Sequence, residues 1–228
     1  MKWALVFLLA WLSSPAFAAT LAQWNFNSDD GNVATGTLTP VIGSGSLGLI
    51  GGATALFTSG SANDAGGFPL NSAWSVGNHP AQGTASGTAG FSGFVSTLGQ
   101  QDISISFDFK NQPSANKWFL VQASTDNGST WGDVATFDVT AADTEFNQSF
   151  DISAALPGVG NNAQFGFRIV GIFAPQSAEY AGTDAGYNGA FGLEYDLLTV
   201  NASPVPEPTT IAFLLAGLLG VSSLLRRR

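Results

Sequence analysis

Apolar and polar residues alternate without a break through Ile103-Ser104-Ile105-Ser106-Phe107-Asp108-Phe109. A period of two sends successive side chains to opposite faces of an extended chain, so this stretch predicts a β-strand with one buried and one solvated face. Shorter runs rich in β-branched and aromatic residues predict further strands at 23–26, 73–76, 89–95, 118–123, 134–139, 148–152, 164–170 and 191–200. Turn clusters separate them, among them Asp29-Asp30-Gly31-Asn32, Asn63-Asp64-Ala65-Gly66-Gly67 and Gly158-Val159-Gly160-Asn161-Asn162. No stretch between them has the three-to-four-residue period of an amphipathic helix, and 153–156 predicts a single helical turn. Strands at this spacing predict an all-β antiparallel β-sandwich of jelly-roll type. Glycine and serine break the period between 32 and 67, which predicts an extended, loop-rich flap with short edge strands at 47–50 and 55–57; 71–90 reads similarly around its one short strand.

Both ends fall outside this pattern. Met1-Lys2 precedes an apolar run from Trp3 to Leu12, and Ser13-Ser14-Pro15-Ala16-Phe17-Ala18 follows it. Ala16 and Ala18 form an A-x-A cleavage site, so 1–18 is expected to be a secretory signal peptide and the mature chain to begin at Ala19. At the other end, Val205-Pro206-Glu207-Pro208 stands before the uncharged residues 209–225 and the cluster Arg226-Arg227-Arg228. As a helix, 209–225 spans about 26 Å, slightly short of the ~30 Å hydrocarbon core, and three arginines resist crossing it. These residues predict a transmembrane helix at about 209–225 with the preceding chain outside. The proline-glutamate-proline signature, apolar run and arginine cluster closely resemble the PEP-CTERM sorting signal, which an exosortase reads in the inner membrane. That resemblance implies export, processing by signal peptidase and exosortase, transient anchoring in the inner membrane, and a final place at the cell surface or outside the cell.

The region 19–203 is long enough for one domain with a substantial core. All acidic residues of the chain except Glu207 fall there, against Lys110, Lys117 and Arg168 as its positive charges. So acidic a surface excludes nucleic acid as a partner and disfavours acidic polysaccharide unless a cation bridges the two. Cysteine is absent, which removes disulfides, thiolate metal sites and a cysteine nucleophile.

The most specific local pattern is Ser124-Thr125-Asp126-Asn127-Gly128-Ser129-Thr130-Trp131. It resembles the Asp-box of sialidases and many secreted β proteins, which implies structural roles for Ser124, Asp126, Gly128, Thr130 and Trp131 in a hairpin and no catalytic one. A sialidase propeller repeats the box around its ring, and here it occurs once. The wider stretch, including Asn71 to Trp74, Ala89-Gly90-Phe91, Phe167-Arg168-Ile169 and Tyr195 to Val200, resembles a β-sandwich module of secreted bacterial surface proteins and of extracellular enzymes' accessory regions.

Candidate chemistry is sparse. His79 is the one histidine, precedes a proline, and has no G-x-S-x-G elbow to serve. Glu194 and Asp196 lie two apart on a predicted strand and so face the same way. They partly resemble the E-x-D-x-x-E catalytic strand of jelly-roll endoglucanases, but Thr199 stands where that pattern has its second glutamate, and a structural Asp196 bonded to loop backbone is the favoured reading. No cofactor is expected; calcium is the one ion to consider, with Asp29-Asp30 and Asp184 with Asn188 as loop oxygen ligands. Trp24, Trp74, Trp118, Tyr180 and Tyr187 are candidate sugar-stacking aromatics, with Tyr180 and Tyr187 expected to be the exposed pair. The sequence thus predicts a non-catalytic, exosortase-processed surface or matrix protein associated with exopolysaccharide or biofilm. The alternative is a jelly-roll glycoside hydrolase or a calcium-dependent carbohydrate-binding module.

Overall fold

The structure, a computed structural model, describes residues 18–64 and 71–205. Its strands are β1 (Ala19–Trp24), β2 (Ile42–Gly43), β3 (Ser46–Ile50), β4 (Thr54–Ser59), β5 (Ser72–Gly77), β6 (Gly90–Phe94), β7 (Gln100–Asn111), β8 (Trp118–Ser124), β9 (Gly132–Asp138), β10 (Phe146–Asp151), β11 (Gly166–Gly171) and β12 (Leu193–Pro204). A single helical turn, α1 (Ile152–Ala155), follows β10 and is capped by Asp151, whose side chain accepts from the Ala154 amide at 2.9 Å.

Two antiparallel sheets pack face to face. One has the order β3-β6-β11-β8-β9. The other is built on β7 and β12, with β10 outside β7. The far side of β12 is shared: Leu193, Glu194 and Tyr195 pair with β5, which carries β4 at its edge, and residues 198–202 pair with β1, which carries β2. The two halves meet at a bulge between Asp196 and Thr199, where Leu197 takes a φ of 48°. A bulge bends its strand and re-aims a side chain, here that of Asp196.

The alternation of β7 sends Ile103, Ile105, Phe107 and Phe109 inward, each at most 3% exposed. They meet Phe91, Phe119, Val121, Phe167 and Ile169 from the other sheet in one apolar cluster. Tyr195 of β12 joins it, with ring centroids 4.9 Å from Phe91 and 5.4 Å from Phe107.

The stretch 32–64 is more ordered than a loop-rich flap: β3 completes the five-stranded sheet on β6 and β4 completes the other on β5. Backbone pairing, rather than side-chain burial, makes these edge strands. Expectations about the ends are also corrected. Among the described residues no helix is long and apolar enough to cross a membrane, and α1 has four residues. The expected transmembrane helix at about 209–225, with Pro206, Glu207, Pro208, Arg226, Arg227 and Arg228, lies outside the described residues, as does the signal peptide up to Phe17 with Ala16. Ala18 and Ala19 are described, and Ala19 begins β1 opposite Ala202; Val205 donates its amide to the Gly99 carbonyl at 2.9 Å. The fold class is accordingly an antiparallel, jelly-roll-like sandwich with no membrane helix in its described part. The exosortase-processed, membrane-anchored reading is withdrawn, and with it the partners and localisation that depended on that helix.

Candidate functional site

Because Tyr195 points into the core, its neighbours Glu194 and Asp196 reach the outer face of the seven-stranded sheet. Register sets Glu194 opposite Lys110 and Asp196 opposite Asp108 on β7. Glu194 Oε2 lies 3.0 Å from Lys110 Nζ. Two carboxylates directly opposite one another repel, and here the 60–63 turn folds over them with donors. Asp196 Oδ2 accepts from the Ser61 amide and Oδ1 from the Leu197 amide, each at 2.7 Å. Asp108 accepts from Asn63 Nδ2 and Asn147 Nδ2 at 2.8 Å and from the Ser61 hydroxyl at 2.5 Å. Glu145 closes the cluster through the Ser61 hydroxyl and the Ala62 amide. Burial pushes the Asp196 carboxyl up to about 7, with Asp64 and Asp108 adding to the rise and the two amides opposing it. Burial also raises Glu194, offset by Lys110.

The cavity at this cluster holds about 20 Å³, room for one water and far too little for a pyranose ring. Asp196 spends both oxygens on the Ser61 and Leu197 backbone amides, the structural role the sequence favoured for it.

On the other side of the Lys110–Glu194 pair the same face opens into a groove of about 310 Å³. Thr54, Leu56, Ser75, Gln112 and Phe191 line it. Leu56 pairs with Ser75, and Ser75 with Glu194, so groove and ion pair share one cross-strand row. Leu56 is 62% and Phe191 42% exposed, although both are large and apolar. The Gln112 Oε1 atom is buried without a hydrogen-bond partner. Gly192 allows the 190–192 segment to cross β5 closely, since a Cβ there would lie 2.5 Å from the Val76 carbonyl oxygen.

The Asp-box forms the β8–β9 hairpin turn. Asp126 accepts from the Thr130 amide at 2.9 Å, the Thr130 hydroxyl at 2.6 Å and the Ser124 hydroxyl at 2.7 Å, bonds that bring its carboxyl down to about 2. Gly128 has a φ of 81° and lies under the rings of Trp131 and Phe94. Asp126→Ala is expected to lower the melting temperature at pH 7 but much less at pH 2, because a depressed carboxylate pKa contributes stability that is present above the unfolded value near 3.8 and lost as pH falls through 2. Thermal melts at the two pH values check this.

His79 is buried against Phe119 at 5.9 Å, and neither ring nitrogen has a well-formed hydrogen bond, so it has no nucleophile or acid to work with. Asp30 is taken up by Ser28, Asn32 and Thr35, and Asp184 by the Ala142 amide at 2.8 Å. Among the described residues no group of three or more histidines and carboxylates is set to hold a metal ion. Trp24 and Trp74 are core residues. Tyr180 is buried rather than exposed: it stacks on Tyr187 at 4.8 Å, and their hydroxyls donate to the Ala85 and Pro80 carbonyls. The sequence reading missed Phe191, Gln112, Leu56 and Lys110; an aromatic set in Gly189-Ala190-Phe191-Gly192 was the available signal.

No protein-family profile matches the chain, and no curated protein matches it. Among solved structures it is similar to the C-terminal family 22 carbohydrate-binding module of Clostridium thermocellum Xyn10B, at 11% identity and a TM-score of 0.46, covering 81% of this chain and 94% of that one. It is also similar to a family 29 carbohydrate-binding module at 12% identity and a TM-score of 0.40, covering 85% and 96%. A third is the C. thermocellum endo-1,4-β-D-xylanase 10B, whose structure joins a family 22 binding module to a GH10 module; 13% identity and a TM-score of 0.45 cover 82% of this chain but 29% of that one. Further similar structures are also of carbohydrate-binding modules of families 22 and 29. At these scores the likeness carries no argument about a site.

Proposed function

We propose that the chain is a non-catalytic carbohydrate-binding β-sandwich whose ligand lies in the groove beside the Lys110–Glu194 pair. The observation that carries the reading is the groove itself: about 310 Å³, open, with Phe191 and Leu56 left exposed and fixed polar groups in the adjoining row. A sugar ring presents apolar C–H faces and hydroxyl edges, so it is matched by an aromatic wall beside donors and acceptors held on strands. Ser75 and Gln112 line the groove, and Lys110 and Glu194 stand in the adjoining cross-strand row to supply those groups.

Titration of the full chain against a panel of neutral oligosaccharides tests it. Phe191→Ala is expected to weaken binding by about tenfold or more while costing much less stability than a core deletion, because the residue is 42% exposed. Absence of binding to every neutral glycan, or equal binding by Phe191→Ala, defeats the reading. Glycan cleavage that disappears in Glu194→Gln would defeat its non-catalytic part.

A further inference from the structure

The outer face of the five-stranded sheet carries a second arrangement that the groove does not use. Arg168 on β11 lies opposite Gln122 on β8, which lies opposite Asp133 on β9. Arg168 Nε donates to Gln122 Oε1 at 2.6 Å, and Gln122 Nε2 donates to Asp133 Oδ1 at 2.6 Å. The guanidinium carbon sits 4.7 Å from the centroid of the Trp131 ring, and Phe94 lies 6.3 Å from the same ring. Toward β3, Ser92 opposite Arg168 is 7% exposed, and the face opens at Gly48 opposite Ser92, where an added Cβ would meet nothing within 4 Å.

Arg168 is thus fixed by its inner nitrogen and by its ring contact, while its two terminal amino groups make no hydrogen bond among the described residues. Such a planar pair of free donors on a held guanidinium matches a carboxylate bidentately. Beside it, the partly exposed Phe94 and the part of Trp131 that the guanidinium does not cover offer apolar surface to a sugar ring. We infer that this face binds the carboxylate of a uronate sugar through Arg168, with the pyranose ring against Phe94 and the uncovered edge of Trp131. The chain's overall acidity does not prevent this, because repulsion from distant carboxylates is screened over roughly 8 Å at physiological salt whereas the fork acts at contact. This site goes beyond the groove reading, lies on the opposite sheet, and would let one molecule join a neutral glycan to an acidic one.

The test titrates the full chain with oligogalacturonate and with the same oligomer after carboxyl reduction. The intact chain should bind the acid form and not the reduced one. Arg168→Lys keeps the charge but loses the fork and should weaken binding by about tenfold or more. Asp133→Asn keeps an oxygen for Gln122 and removes the anion near Arg168, so it should tighten binding by roughly two- to fivefold. No binding of the acid form, equal binding of the reduced form, full binding by Arg168→Lys, or weakening by Asp133→Asn each overturns the assignment. Asp133 is exposed, so its variant reads the site without risk to the fold. The groove is tested with neutral oligosaccharides and Phe191→Ala, so the two readings fail separately.

Discussion

Phe107→Ala is expected to lower the free energy of unfolding by about 3–5 kcal/mol, the usual cost of removing a fully buried aromatic ring from a core that cannot collapse around the void. The ring is 1% exposed and sits where the sheets meet. Its centroid lies 5.9 Å from Phe109, 5.7 Å from Phe137, 6.1 Å from Phe150 and 5.4 Å from Tyr195. These neighbours come from β7, β9, β10 and β12, so the hole would open at a junction of both sheets, with no single strand able to shift and fill it. Urea unfolding should show a lower midpoint at an unchanged slope. A loss below about 1 kcal/mol would mean that the two sheets do not pack as described. Phe191→Ala provides the contrast: the same deletion on the groove wall, at a residue 42% exposed, should cost binding and far less stability.

That contrast also shows what could be read from the chain. The inward set Ile103, Ile105, Phe107 and Phe109 follows directly from a period of two, because a strand's own geometry assigns its faces. The same rule put Glu194 and Asp196 on one side of their strand. It could not name what they meet, since Lys110 and Asp108 are brought there by the register between β7 and β12, which is a property of the whole sheet. Asp196's hydrogen bond to the Ser61 amide spans 135 positions and depends on a bulge at Leu197 that no local residue announces. β3 was only marginally legible: Leu47 and Leu49 flank Gly48 in a strand whose order comes from pairing with β6. Tyr180 and Tyr187 sit in a Gly/Ala/Asn-rich segment and so suggested exposure, yet each hydroxyl finds a carbonyl and the rings cover one another. Row partners such as Arg168, Gln122 and Asp133 are far apart in the chain and adjacent only across three strands.

The second large effect is a pair of opposed pH dependences, exposed by removing one at a time. Burial brings the His79 imidazole down to about 4 from an ordinary value near 6.5, partly offset by its approach to the Ala89 backbone. Between pH 6.5 and 4 the unfolded chain binds this proton and the folded chain does not, so His79 alone makes stability fall by about 3 kcal/mol as pH drops through that window. Asp196 acts in the other direction. Its carboxyl is raised to about 7, so between pH 3.8 and 7 the folded chain holds a proton that the unfolded chain has released. Asp196 alone makes stability fall by about 4 kcal/mol as pH rises through that interval. The two slopes oppose one another over nearly the same range, and the intact chain should be almost flat from pH 4.5 to 6.5 in this respect. His79→Gln leaves the Asp196 slope uncovered, so the variant should be relatively more stable at pH 4.5 than at pH 8 by about 3 kcal/mol compared with the parent. Asp196→Asn should show the reverse, gaining at pH 8 relative to pH 4.5, even though its amide meets the Ser61 donor less well than a carboxylate does. Comparing each variant with the parent at both pH values cancels the contributions of the exposed carboxylates, and urea unfolding at each pH measures the difference. A His79→Gln difference of zero or of opposite sign would show that the imidazole is solvated in the folded chain, and an Asp196→Asn difference of zero would show that the 60–63 turn does not bury the carboxyl it covers.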